Sequence, residues 1–300
     1  DLYDEGSYTG KGIYDVDAFE SALKSRVPTN TLLSHDLFEG IFARAGFACD
    51  VEVLESYPRS YHADTNRLHR WTRGDWQLLP WLLGIVNDTG KIPALGQWKI
   101  IDNLRRSLVQ PCLFATLILS FAFPLYQAIL LWTTVFSVLA APFLIHLLLL
   151  FISYRRSQGR IITHLKMWLL DGLLSFLNCF FILAFLPDKS VKTLDALGRS
   201  LLRMAFTQNH LLQWVSSDEI ERTHKPSIVN YYKLMSTSVG IALFIAIATL
   251  LYSLTYFFTT LPFALLWLLA PAIAWLLSRP NVRPYLHLSD NRQTTLRLIA

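Results

Sequence analysis

Apolar and polar positions divide the chain near residue 106. Beyond it, two runs contain no Asp, Glu, Lys or Arg: Ser107 to Tyr154 and Leu234 to Ser278. One membrane crossing takes about 20 apolar residues, so each run predicts a helical hairpin, with turns at Pro124 to Gln127 and Thr259 to Pro262. A third apolar stretch, Met167 to Pro187, carries Asp171 near its start and Asn178 in its middle. Before residue 107 the periods are short and mixed. Val16 to Leu23 predicts a short helix. Asp36 opens another, with Leu37, Phe38, Ile41, Phe42 and Ala45 on one face and Gly46 as its stop. Cys49 to Leu54 alternates as a strand does. Arg67 to Leu83 predicts a helix bearing Trp71, Trp76 and Trp81. Trp98 to Val109 sets Trp98, Ile101, Leu104 and Leu108 against Lys99, Arg105 and Arg106, the pattern of a helix lying in a membrane interface. Alternating strand and helix signals make the first part α/β, followed by an α-helical transmembrane region.

Charge follows the same division. Residues 1–106 hold 15 acidic and 12 basic residues, and the remainder 7 and 15, so a net +5 conceals −3 joined to +8. Charged residues are 16% of the chain, against about 25% in soluble domains, which excludes an ordinary soluble domain. The basic excess flanks apolar runs, so it is no nucleic-acid footprint. It sits in the loops 155–166, 188–233 and 279–300, with 4, 7 and 4 basic residues, and predicts a cytoplasmic side for all three. A full crossing by 167–187 conflicts with that parity, so this segment is expected to be re-entrant or interfacial, with a fifth span as the alternative. Cys49, Cys112 and Cys179 form no CxxC pair, which excludes a disulfide scaffold and a zinc ribbon. The chain opens without Met and ends at Arg297-Leu298-Ile299-Ala300, and it is expected to be a segment of a longer polypeptide.

Three constellations carry candidate chemistry. Ser34-His35-Asp36 stands at a helix start, where Asp36 serves either as a cap, with Glu39 completing a capping box, or as a general base. Arg67, Arg70 and Arg73 lie within seven residues and suit a diphosphate, while Trp71 offers a flat face to a pyranose; the plainer reading is a half-exposed helix with snorkelling arginines. In Tyr8-Thr9-Gly10-Lys11-Gly12-Ile13-Tyr14-Asp15-Val16-Asp17 the glycines permit close approach to a ligand and Lys11 suits a phosphate, or the stretch is an ordinary turn; it is not a Walker A.

The order of these elements resembles the later half of processive family 2-type glycosyltransferases. Asp36 matches the last position of their Thr-Glu-Asp motif, and Arg70-Trp71 match the end of Gln-x-x-Arg-Trp, whose Gln is Arg67 here. The stretches from Gly10 to Phe19, Leu32 to Gly40 and His69 to Trp81 are similar in more detail to the glucosyltransferase module of bacterial cyclic β-1,2-glucan synthases. The resemblance implies a GT-A-like α/β fragment whose Asp36 is the catalytic base, with Arg70, Arg73 and Arg67 on the donor diphosphate, Trp71 on the acceptor, and Gly10, Lys11 and Gly12 on the donor side. It implies UDP-glucose and a β-glucan acceptor as substrates, and a bacterial inner membrane with the catalytic part cytoplasmic. It also implies a divalent metal, Mg2+ or Mn2+, with no metal ligand within this chain, and an isolated segment that is inactive.

The expected organisation is then the C-terminal half of a catalytic domain at 1–91, an interfacial helix at 92–109 and a transmembrane hairpin at 110–153. Cytoplasmic or interfacial helices follow at 154–233, including 167–187, then a second hairpin at 234–278 and the start of a linker to a downstream domain at 279–300. Other readings are a different processive polysaccharide synthase, or a transporter or export channel without catalysis. A transporter places ionisable groups at membrane depth, for which only Asp171 and His146 qualify.

Overall fold

A computed structural model describes residues 5–54, 57–86, 90–156, 161–223 and 227–279. The segment 280–300, most of the expected linker, lies outside them, as does the side chain of His146. The described residues form eleven α-helices. The first four are α1 (Val16–Leu23), α2 (Asp36–Ala43), α3 (Tyr61–Gln77) and the short α4 (Leu79–Leu82). Three long helices follow, α5 (Ala94–Ser120), α6 (Leu125–Arg156) and α7 (Ile161–Leu202), the last running into a π-helical turn at Arg203–Thr207. Then come α8 (Ser217–Thr223), α9 (Ile228–Leu234), α10 (Ser236–Tyr252) and α11 (Leu254–Leu277).

No strand forms among the described residues, so they are helical rather than α/β. Residues 49–54 are irregular. An alternating segment becomes a strand only when a neighbour takes up its backbone hydrogen bonds, and residues 49–54 are exposed with no strand beside them among the described residues. The helix begun at Asp36 stops at Ala43, before Gly46, because Arg44 takes a positive φ of 58°. The Arg67 helix starts six residues earlier than its apolar pattern indicates, at Tyr61, with the Ser60 hydroxyl accepting from the Ala63 amide at 3.2 Å. The amphipathic stretch from Trp98 continues without a break through Pro111 into the first apolar run as α5. The turn that ends α5 lies at Phe121 to Pro124.

Among the described residues, three helical stretches are long and apolar enough to cross a membrane: Leu125–Leu149, Leu169–Thr207 and Leu254–Leu277. A fourth counts if α9 and α10, bent by 72° at Met235, act as one. Their outer faces carry exposed large apolar side chains such as Leu130, Phe136, Phe176, Phe244 and Leu251. A continuous apolar surface of that extent suits lipid and not water. Leu113, Leu117, Val135, Leu139, Leu186 and Trp267 pack where α5, α6, α7 and α11 meet. The indole N–H of fully buried Trp267 donates to the Leu183 carbonyl at 3.0 Å, which satisfies its polar edge.

A second core gathers Leu32, Phe38, Leu78, Trp81, Ile100 and Leu104, fastening α2, α3 and α4 to the first half of α5. The polar second half of α7 then clasps α3. Asp188, Lys192, Asp195 and Arg199 recur at spacings of four and three, so they share one helix face. The Tyr61 hydroxyl donates to buried Asp188 at 2.7 Å, and Lys192 pairs with the same carboxylate at 2.7 Å. Lys189 reaches Asp64 at 3.3 Å, and His69 meets Asp195 at 3.1 Å. These contacts hold α3, which carries the candidate site, against the end of the apolar part.

Candidate active site

The site is assembled from one helix and two loops drawn onto it. On α3, Arg67 and Trp71 lie a turn apart, while Arg70, Arg73 and Gln77 form a second row. Gln77 is buried; its Oε1 accepts from the Leu33 amide at 2.7 Å and its Nε2 donates to the Leu211 carbonyl at 3.1 Å. One side chain thereby pins both the Ser34-His35-Asp36 loop and the loop around residue 211. Gly74 lets the first loop close in: a Cβ there would lie 2.5 Å from Ser34 Cβ and 3.2 Å from its backbone nitrogen.

Asp36 is the first residue of α2, and the cap position is held by His35 without a side-chain bond. Glu39 bonds His35 Nδ1 at 2.5 Å, so neither carboxylate makes the capping box open to it in sequence. That bond raises the His35 pKa, with the Glu39 and Asp36 charges adding to it and burial opposing. The carboxylate of Asp36 faces Gly10 instead. Gly10 has a φ of 80°, and a Cβ there would stand 3.1 and 3.2 Å from the two Asp36 oxygens. The glycine loop and the candidate base are thus brought together, and Gly10 is the glycine the contact requires. A Cβ at Gly12 would lie 3.6 Å from the Tyr8 ring, an ordinary contact, and Lys11 is exposed beside it.

The three arginines go to different places. Arg67 lies between the rings of Tyr57 and Trp71, 4.3 and 4.7 Å from their centres. Arg70 stands over the ring of Trp214 at 4.6 Å. Arg73 is buried and donates to the carbonyls of Gln213 at 2.8 Å, Leu211 at 2.8 Å and His210 at 3.3 Å. Burial lowers its pKa, with Arg203 and Arg199 adding to the effect. Arg73 therefore anchors the loop that brings Trp214 to Arg70, while Arg67 is 16% exposed and pairs with Asp64 at 3.5 Å.

His35, Asp36 and Glu39 form a cluster whose ligand atoms lie within 4.8 Å of one another. A hard divalent cation needs several oxygen ligands in near-octahedral array. The His35–Glu39 bond occupies two of the three groups. The cluster does not fit the implied metal.

Sequence reasoning missed Asp75. It lines a cavity with Ser34 and Trp71, and its Oδ1 accepts from Asn103 Nδ2 at 3.0 Å. Burial raises its pKa from 3.8 to about 6, against the opposing pull of Asn103 and Arg106. A polar residue in the run Gly74-Asp75-Trp76 gave only a faint signal, because its burial depends on α5. The folded protein retains a proton that the unfolded chain releases between 3.8 and about 6, so stability falls as pH rises through that window. Above it the cost is about 3 kcal/mol at most, at roughly 1.4 kcal/mol per unit. Asp75→Asn, which still accepts from Asn103, is expected to raise Tm at pH 8, with the gain shrinking as pH falls toward 4. Thermal unfolding of both proteins across that range checks it, and a gain independent of pH would refute the burial cost.

These features define a helical protein of the membrane type that carries an arginine- and tryptophan-bearing helix beside a carboxylate and a glycine loop. No family model matches the chain. Over 282 residues, 93% of its length, it is 38% identical to cyclic beta-(1,2)-glucan synthase NdvB of Rhizobium meliloti (strain 1021), and it spans 10% of that relative's length. The chain is a homologue of one segment of that synthase.

Proposed function

We propose that this chain is a membrane-embedded part of an inverting glucosyltransferase that passes glucose from UDP-glucose to a growing β-1,2-glucan. The approach of Gly10 to the uncapped carboxylate of Asp36, beside the Arg-Trp helix, carries the reading. The homology supports glucan synthesis as its outcome. In a single displacement, Asp36 takes the proton of the acceptor's 2-hydroxyl as that oxygen bonds the anomeric carbon. The bond from that carbon to the UDP oxygen breaks, and UDP leaves with the electron pair. Arg70 and Arg67 meet the charge developing on the diphosphate, and Arg73 acts through the loop it anchors. Lys11 and Gly10 to Gly12 face the donor, and Trp71 stacks on the terminal glucose of the acceptor. A divalent cation, Mg2+ or Mn2+, belongs to this proposal only as a group held by residues outside this chain. The rest of a longer polypeptide would complete the donor site, in a bacterial inner membrane with this site on the cytoplasmic face.

Trp71→Ala in the full-length polypeptide is expected to raise the KM for an oligosaccharide acceptor about tenfold, an effect of the size of one aromatic contact, and to change donor hydrolysis less. The opposite ranking contradicts stacking. Limited proteolysis separates the transferase from a transporter or a passive anchor. UDP-glucose should protect the Gly10 to Gly12 loop from cleavage, and an unchanged cleavage pattern at saturating UDP-glucose contradicts the reading.

A further inference from the structure

The cavity between α3, α5 and the Ser34 loop has a lining of which the roles proposed above use only Trp71. Its volume is about 290 Å³, small against the roughly 300–1,000 Å³ of pockets that hold drug-sized ligands. Trp71, 45% exposed, and Asp75 lie on its α3 wall. Asn103, Arg106 and Ser107 form the α5 wall, and Ser34 closes the end two residues from Asp36.

The polar groups of this lining are largely committed. Ser107 accepts from the Trp76 indole N–H at 3.0 Å and donates to the Leu104 carbonyl at 2.7 Å. Asn103 gives its amide N–H to Asp75 and accepts from Arg106 through its oxygen. Arg106 also pairs with Asp102 at 3.1 Å. Among the described residues, these neighbours engage one oxygen of Asp75 and leave the other to the cavity. A half-exposed indole face beside a carboxylate oxygen is the chemistry that recognises a sugar ring, with C–H groups on the aromatic face and a hydroxyl donating to the carboxylate. An apolar ligand would leave the carboxylate unpaired at a desolvation cost, and an anion would be repelled by it.

We propose that this cavity holds one pyranose unit of the acceptor glucan, and that Asp75 accepts a hydrogen bond from one of its ring hydroxyls. The inference rests on the transferase reading and deepens it: Trp71 supplies the stacking face, and Asp75 selects how the ring is turned on it. The part-buried carboxyl that costs the fold stability is kept where a sugar hydroxyl pairs with it.

The test titrates the full-length polypeptide, wild type and Asp75→Asn, with a radiolabelled β-1,2-linked glucose trisaccharide in equilibrium dialysis. UDP-glucose affinity and glucan synthesis are read on the same samples. Asp75→Asn is expected to weaken trisaccharide binding about tenfold, the effect of one hydrogen bond to a charged group, and to hold UDP-glucose affinity within about twofold. Equal trisaccharide affinity in the two proteins overturns the subsite. Parallel loss of trisaccharide and UDP-glucose affinity also overturns it, because that marks a structural role. A wild type that binds no trisaccharide overturns it as well; if that sample makes glucan from UDP-glucose only the subsite falls, and if it makes none the transferase reading falls too.

Discussion

Asp36→Asn in the full-length polypeptide should lower glucan synthesis by roughly 10²–10⁴-fold, the span that general-base catalysis contributes, with UDP-glucose affinity little changed. The structure makes this variant informative. Asp36 makes no cap bond to its own helix, so Asn removes a proton acceptor without uncapping α2. The side chains are nearly isosteric, so the gap to Gly10 is kept. Rates of labelled glucose incorporation, measured beside UDP-glucose binding, check it. Synthesis at the wild-type rate would remove Asp36 from the chemistry.

Gly74→Ala should lower stability by about 1–3 kcal/mol, the cost of overpacking a close contact. It should also lower glucan synthesis by about 10²-fold, because displacement of a catalytic group by about 1 Å costs that much. The added methyl would lie 2.5 Å from Ser34 Cβ. The neighbour in its way is the backbone and Cβ of the loop that positions Asp36, and no flexible side-chain tip is there to swing aside. The sign of the effect is diagnostic. In a helix free of contacts, Ala in place of Gly stabilises by about 1 kcal/mol, so a raised Tm with full synthesis would show that α3 and the Ser34 loop do not touch.

Sequence patterns captured the local elements best. The Val16–Leu23 helix coincides with its pattern, and α2 starts where Asp36 indicates. Both follow from a polar residue placed before an amphipathic run. The start of α3 was hidden because Tyr61-His62-Ala63-Asp64-Thr65-Asn66 has no apolar period; its helicity comes from the Ser60 cap and from the clasp of α7. The strand at 49–54 was misread because alternation records a preference for a pleated surface and says nothing about a pairing partner.

The site was legible as residue types and not as geometry. Asp36, Arg70 and Trp71 stand out in sequence by their motif, but the roles of the arginines separate only in three dimensions. The carbonyls that hold Arg73 come from residues 137–140 positions away, a distance no local spacing reveals. Gly10 reads as one of two equivalent loop glycines until the Asp36 carboxylate is seen beside it. Asp75 takes its character from burial, which Asn103 and Arg106 on α5 only partly offset, and the sequence pattern of α5 speaks only of a membrane interface.

The central claim is that the carboxylate and the Arg-Trp helix serve glucose transfer from a nucleotide donor. The most direct measurement supplies the full-length polypeptide, in its native membrane, with UDP-glucose labelled in the glucose, and follows both label and UDP. The account predicts that label enters a β-1,2-linked glucan with one UDP released per glucose added, and that Asp36→Asn suppresses both together. Label that stays in UDP-glucose while the folded wild-type protein builds glucan from another donor would contradict it.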